Sequence, residues 1–304
     1  MLNEKKLLIV LLGPTAVGKT DLSIELARDI GTVILSADSR QLYKELNIGT
    51  AKPTAIQLNS VKHYFIDTVS IANDYDAATF EKDAISLLKE LFKTQNAVIL
   101  TGGSGLYINA VCNGFDILPA SAPEIREQLN EMVLTKGLNH LTELLNQKDP
   151  EYYKIVDLKN PQRLIRALEV CLSSGRPYSS FRTQKSQKRD FQILYVGINR
   201  RRDELYERIN LRVDEMVKEG LVEEVRGVLA YKKNNALQTV GYKELINYFV
   251  ENIDLQQAIM LIKQNTRRYA KRQLTWFRKN KEITWFDAGD KPKIFDFIKR
   301  HINQ

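Results

Sequence analysis

This sequence predicts an α/β fold: a parallel sheet flanked by helices, with an all-helical subdomain inserted into it. Three observations carry that reading. Apolar runs of strand length at 7–12, 33–37, 97–101 and 192–198 alternate with segments whose apolar residues recur at helical spacing. The first run leads straight into Gly13-Pro14-Thr15-Ala16-Val17-Gly18-Lys19-Thr20, which spells G-x-x-x-x-G-K-T between a strand and a helix. From 116 to 189 the strand signals stop, and prolines and leucine-rich helical patterns replace them. The expected organisation is therefore a P-loop NTPase-like core over 1–115 and 190–304, with a helical insertion at 116–189.

Each element has its reason. Residues 7–12 are six apolar residues in a row, the pattern of a strand buried on both faces. Gly13 and Gly18 let the backbone turn and bring its N–H groups close to an anion. The following helix, with Leu22, Ile24, Leu26, Ala27 and Ile30, presents its positive N-terminal end. Lys19 adds a point charge for phosphate oxygens, and the Thr20 hydroxyl is suited to Mg²⁺. The strand at 33–37 ends at Asp38, where an open α/β sheet gathers its chemistry. By position alone Asp38 serves equally as a helix N-cap, a Mg²⁺ ligand or a general base. A short strand is expected at 63–67 and an amphipathic helix at 77–93. The strand at 97–101 ends in a second glycine-rich turn, Gly102-Gly103-Ser104-Gly105. In the insert, Ile125 to Val133, Leu138 to Leu145 and Leu164 to Leu172 suit three helices, before a basic stretch with Arg182, Lys185, Lys188 and Arg189.

Composition narrows the function. With 43% hydrophobic and 27% charged residues, the 304-residue chain is neither disordered nor fibrous. No run of eighteen apolar residues occurs, and the first strand follows the N-terminus too closely for a signal peptide, so a cytoplasmic protein is expected. Two cysteines, Cys112 and Cys171, are too few for a zinc cluster and lie in apolar patterns as buried thiols. The formal net charge of +8 points to a polyanionic partner. It is concentrated at 263–281, where eight Lys and Arg residues occur with no Asp or Glu, interleaved with Tyr269, Trp276 and Phe277. A solvated helix mixes signs; an unopposed basic helix with aromatics suits a nucleic-acid backbone and its bases. A guanine-specific N-K-x-D string is missing. A small-molecule kinase using ATP and an RNA-binding nucleotide switch both remain open at this point.

The strings 13–20, Asp38-Ser39-Arg40-Gln41-Leu42-Tyr43-Lys44, Ile48-Gly49-Thr50-Ala51-Lys52-Pro53, 102–107, 160–169, Val240-Gly241-Tyr242 and 271–278 closely resemble, in order and over essentially the whole chain, the tRNA dimethylallyltransferases (tRNA isopentenyltransferases). One departure is Ser104, where the family usually has Thr. Eukaryotic relatives add a zinc finger, which two cysteines exclude, so the bacterial form is implied. The resemblance implies transfer of a dimethylallyl group from dimethylallyl diphosphate to N6 of the adenosine just 3′ of the anticodon. The cofactor implied is Mg²⁺, held through Thr20. The partners are dimethylallyl diphosphate and the tRNA anticodon stem-loop, with no membrane and a monomeric protein.

By the same resemblance, Gly13 to Thr20 bind the diphosphate, and Asp38, Ser104 and Arg202 are catalytic. Arg202 is assigned from its place in an R-x-x-L-x-x-R-I string. Asp38 would take the amine proton, Arg202 would meet the diphosphate charge, and Ser104 would help place the amine or the base. The segments implied to touch tRNA are Asp38, Ser39, Arg40 and Gln41, with Ser104; Arg126; Gln162, Arg163, Leu164, Ile165 and Arg166; Thr239, Val240, Gly241, Tyr242, Lys243 and Glu244; and Lys271, Arg272, Gln273, Leu274, Thr275, Trp276, Phe277 and Arg278. The insert and the basic helix are expected to hold the stem-loop from two sides.

Overall fold

The structure, a computed structural model, describes residues 6–116, 118–119, 123–183, 186–250 and 253–303. Lys185 of the basic stretch and the N-terminal residues 1–5 lie outside the described residues. In chain order the elements are β1 (Leu7–Leu12), α1 (Lys19–Ile30), β2 (Ile34–Ser36), α2 (Ala55–Ser60), β3 (His63–Tyr64), α3 (Ala77–Leu91), β4 (Ala97–Gly102), α4 (Gly105–Asn113), α5 (Pro123–Lys148), α6 (Pro150–Tyr153), α7 (Pro161–Ser174), β5 (Gln192–Asn199), α8 (Arg202–Lys218), α9 (Leu221–Gly227), α10 (Tyr242–Val250), α11 (Leu255–Phe277), β6 (Thr284–Asp287) and α12 (Lys291–Ile302).

The sheet is parallel throughout, in the order β3-β2-β4-β1-β5-β6. β1 is central and wholly buried, as its unbroken apolar run requires. Its pairing puts Leu12 opposite both Gly102 and Gly197, so the loops after β1, β4 and β5 leave from one edge. β2 joins that edge through Ser36 beside Thr101. Helices cover the faces: Leu22 and Leu26 of α1, Leu205 and Ile209 of α8, and Ile294 and Ile298 of α12 share one core with the strands.

The chain divides into two compact units, one of 1–112 with 188–304 and the other of 113–187, against the 116–189 expected for the insert. The insert has its own core of Leu129, Leu141, Leu145, Leu164 and Leu168, all fully buried. Its first two expected helices are both present within α5, on either side of Gly137, whose non-helical backbone (φ 79°, ψ 171°) kinks the chain between them. Asp149, 1% exposed, accepts from the N–H and hydroxyl of Ser179 and caps α6. Cys112 and Cys171 are buried, and burial pushes the Cys112 thiol up to about 12.

Five elements differ from expectation. β2 and β3 are shorter than 33–37 and 63–67, because the chain turns away to build the loops at the sheet edge. β6 and α12 carry no strong local signal; β6 is a four-residue edge strand that exists by pairing with β5. α11 ends at Phe277, so Arg278, Lys279 and Lys281 follow the basic helix instead of lying in it.

Candidate active site

The phosphate loop stands where β1 leaves the sheet. Gly18 (φ 105°) begins α1 in the left-handed region, and Ala16 (φ 62°) is a non-glycine residue held there too. At Gly13 a Cβ would sit 2.4 Å from the Ile198 carbonyl oxygen, so only glycine fits against β5. Lys19 folds back over the loop and donates to the carbonyl oxygens of Gly13 and Pro14 at 2.9 and 2.8 Å. Burial lowers its pKa to about 7; the charge of Asp38 opposes that shift and Arg212 adds to it.

Asp38 caps a turn, not a helix. Its Oδ1 accepts from the Arg40 N–H at 2.9 Å and the Gln41 N–H at 3.4 Å, a local cap. Among the described residues no hydrogen bond engages Oδ2, and Asp38 lines both cavities at this edge of the sheet. Ser104 braces the same loop. Its hydroxyl accepts from the Ser39 N–H at 2.9 Å, donates to the Ser39 hydroxyl at 3.1 Å, and meets the Tyr269 hydroxyl. The glycines before it serve the protein itself: a Cβ at Gly102 would lie 2.2 Å from the Ala37 carbonyl oxygen, and one at Gly103 would lie 2.3 Å from the Gln273 amide.

The first of the two cavities, about 570 Å³, is floored by the phosphate loop and lined by Lys19, Thr20, Gln41 and Arg208. The second, about 650 Å³, is lined by Arg40, the segment Gln238 to Glu244 without Tyr242, apolar residues of α8 and α11, and Arg272. Thr15, Ala16, Asp38, Thr50, Arg212 and Tyr269 line both. Asp38 thus stands between the cavity floored by the glycine-rich loop and one lined by apolar, polar and basic groups.

The arginines nearest the loop are ones the sequence did not single out for catalysis. Arg208 Nε donates to the Ala16 carbonyl at 2.9 Å, Arg200 Nε to the Val17 carbonyl at 3.0 Å, and Arg212 Nη1 to the Thr15 hydroxyl at 3.4 Å. Burial lowers the pKa of Arg212, against the pull of Asp38. Arg202, expected to be catalytic, is exposed, lies over the Tyr206 ring at 5.1 Å, and lines neither cavity. The reason is helix phase. Arg208 and Arg212 are four apart on one face of α8, whereas Arg202 begins the helix and points elsewhere.

Several residues named as tRNA contacts are buried or bonded within the protein, although Gly241 and Glu244 line the second cavity and Gln41 and Gln273 the first. Leu164 and Ile165 pack in the insert's core, and Tyr242, Phe277 and Gln273 are buried in the catalytic unit. Gly241 is buried, and Glu244, 7% exposed, accepts from the Gly241 N–H and the Asn265 amide. Gln273 works inside the protein, accepting from the Thr15 N–H and donating to the Gly103 carbonyl, both at 2.9 Å. Gln41 donates to the Thr50 and Ala51 carbonyls. Exposed in the catalytic unit are Lys243, Lys271, Arg272, Thr275, Trp276 and Arg278; exposed on the insert are Arg126, Gln162 and Arg163. Ser39, Arg40, Thr239, Val240 and Leu274 are half-buried, as is Arg166, which pairs with Glu169.

A family model described as IPP transferase matches residues 41–280. The chain belongs to the IPP transferase family. Among relatives, the Bacteroides fragilis protein named tRNA dimethylallyltransferase 1 is 50% identical over 297 residues, covering 98% of this chain and 99% of that protein. The tRNA dimethylallyltransferase of Christiangramia forsetii is 51% identical over 297 residues, covering 97% and 98%. The crystal structure of the full-length tRNA isopentenylpyrophosphate transferase from Bacillus halodurans matches with a TM-score of 0.73 at 35% identity, covering 99% of this chain and 97% of that one. These relatives are named tRNA dimethylallyltransferase or tRNA isopentenylpyrophosphate transferase, names that favour neither the kinase nor the nucleotide-switch alternative. Among the described residues no helix is long and apolar enough to cross a membrane.

Proposed function

We propose that this chain is a tRNA dimethylallyltransferase. It transfers the dimethylallyl group of dimethylallyl diphosphate to N6 of the adenosine immediately 3′ of the anticodon and releases diphosphate. The observation that carries this reading is the place of Asp38 on the wall common to both cavities, with Oδ2 uncommitted among the described residues.

The donor's diphosphate occupies the phosphate-loop cavity and the adenine enters the second one. An adenine stacked in the anticodon loop cannot reach that depth, so the base is turned out of its stack. N6 attacks C1 of the allylic group; the C1–O bond breaks, and its electron pair leaves on the diphosphate. The N6 lone pair is delocalised into the ring, so the amine is a weak nucleophile until a base takes its proton, and Asp38 Oδ2 accepts that proton. Charge growing on the leaving group meets Lys19, Arg212 and the loop's backbone N–H groups. Ser104 holds the loop carrying Asp38 in register instead of handling a proton itself.

Mg²⁺ fits the donor set. Thr20 lines the cavity, and among the described residues no group of three or more His, Cys, Asp or Glu could hold a metal. Mg²⁺ suits such a place, because it keeps several waters and binds through substrate phosphates and few protein oxygens. Bound there through the Thr20 hydroxyl, it would supply Lewis-acid neutralisation of the leaving diphosphate.

Exposed Lys271, Arg272 and Arg278 in the catalytic unit, and Arg126 and Arg163 on the insert, supply phosphate contacts for the anticodon stem-loop, while Trp276, 41% exposed, offers a stacking face. The enzyme acts as a monomer in the cytoplasm. Purified protein incubated with unmodified tRNA, Mg²⁺ and labelled dimethylallyl diphosphate is expected to place label in the nucleoside fraction; ATP hydrolysis without such transfer would refute the reading.

A further inference from the structure

Glu224, on α9, touches neither cavity, yet its carboxylate collects four donors. Oε2 accepts from the Asn47 and Ile48 N–H groups, both at 2.8 Å, and Oε1 accepts from the Gly49 N–H at 3.0 Å and the Tyr242 hydroxyl at 2.6 Å. Three successive backbone N–H groups converging on one anion form a nest, a concavity that otherwise takes a phosphate or a free carboxylate. Here the chain fills it with its own side chain, and bonds to an ionised acceptor are roughly twice as strong as neutral ones.

The two segments are interlocked sterically as well. Tyr242 is fully buried against Gly49, where a Cβ would come within 2.6 Å of its ring. The 47–49 turn and the start of α10 cannot slide past each other. Each leads to a cavity wall. Thr50 lines both cavities, and the Thr50 and Ala51 carbonyls accept from the Gln41 side-chain amide, while the Gln41 backbone N–H donates to Asp38 Oδ1 at 3.4 Å. On the other side, Gly241 and Lys243, which flank Tyr242, line the second cavity.

We propose that Glu224 is a positioning residue of the transfer reaction: through the 47–51 loop and Gln41 it holds Asp38 against the wall that receives the base. This role presupposes the dimethylallyl transfer proposed above. Its test uses E224Q and Y242F in single-turnover transfer to tRNA, with active sites counted by stoichiometric tRNA binding so that any unfolded fraction drops out. A neutral amide has one acceptor oxygen for four donors, and sub-ångström misplacement of a reacting group is costly. E224Q is expected to lose tenfold or more in rate per site while its Kd for inorganic pyrophosphate, read by calorimetry, stays within threefold. Y242F leaves the nest filled and is expected to lose between twofold and tenfold.

E224Q transferring at the wild-type rate, or losing pyrophosphate affinity in step with rate, overturns the proposal. If E224Q does not fold, Y242F decides, and a rate within twofold of wild type overturns it. Wild-type protein that transfers nothing overturns the underlying reading instead, and this proposal with it.

Discussion

The Gln273 side-chain amide donates to the Gly103 carbonyl at 2.9 Å, and its oxygen accepts from the Thr15 N–H, so one buried residue of α11 ties the phosphate loop to the turn after β4. Gln273→Ala leaves both backbone groups without that partner. It is expected to cost about 1–3 kcal/mol, the usual penalty for orphaned buried polar groups. Gln273→Glu, which keeps an acceptor for Thr15 but loses the donor to Gly103, is expected to show most of that loss. Urea unfolding of the two variants measures it, and an unchanged midpoint in both would remove the clip from the fold's support.

With Asp38 as the proposed proton acceptor, Asp38→Ala is expected to lower turnover by about 10²-fold or more, the scale of a lost general base, while tRNA affinity holds. Transfer rates and filter binding on the same preparation read the two effects separately. Near-normal turnover would remove Asp38 from the chemistry.

Arg212 and Arg202 offer an internal comparison on one helix. Arg212→Ala, which takes a cation off the shared wall, is expected to slow transfer by about 10²-fold, the cost of one lost charge-stabilising donor. Arg202→Ala, an exposed residue over Tyr206, is expected to stay within about twofold, as surface substitutions usually do. Steady-state kinetics on both variants decide between them, and the reverse ranking would restore Arg202 to the site.

Diphosphate binding, proposed at this loop, is expected to be proton-linked through Lys19. Its pKa is lowered to about 7 in the folded protein from an unfolded value of 10.5, chiefly by burial. Between those values the unfolded chain holds the proton and the folded one does not, so this group's contribution to stability rises with pH across that window and is a fixed penalty below it. An arriving diphosphate favours the charged form, so binding takes up a proton and affinity falls as pH climbs above about 7. Calorimetry with inorganic pyrophosphate at pH 8, in buffers of different ionisation enthalpy, is expected to show nearly one proton more per site for wild type than for Lys19→Arg, whose charge does not titrate. Equal uptake would place the linkage elsewhere.

Lys271 and Arg272 are exposed on the last turns of α11. Each substituted by Ala is expected to weaken tRNA binding and to reduce the slope of log K against log salt by about 0.7–0.9 for every phosphate that goes unneutralised. Binding measured across a salt series checks this, and an unaltered slope would mark the two residues as a solvated face.

The strand, phosphate loop and first helix were legible because their signal is local. Six consecutive apolar residues demand burial on both faces, and the glycine spacing demands a turn that only a strand and a helix can flank. The insert was legible for the same reason, in its prolines and leucine periodicity. β6 was not, since four residues at a sheet edge acquire strand geometry only by pairing with β5. Gln273 came in with the 271–278 string that the resemblance implied, and a matching string says nothing about helix phase; Ala270, Gln273 and Phe277 share the inward face of α11, and packing decided that.

The amino-acid order alone therefore determined which chemistry is present: a glycine-rich loop suited to an anion, an acid at the end of the next strand, a run of cations with no acid among them. Folding decided which members of those groups meet. Arg212 instead of Arg202 reaches the glycine-rich loop, and Glu224 reaches the 47–49 turn from 175 residues away along the chain. Such pairings depend on helix phase and on crossovers that bring distant segments to one sheet edge, and neither is written in the spacing of residues along the chain.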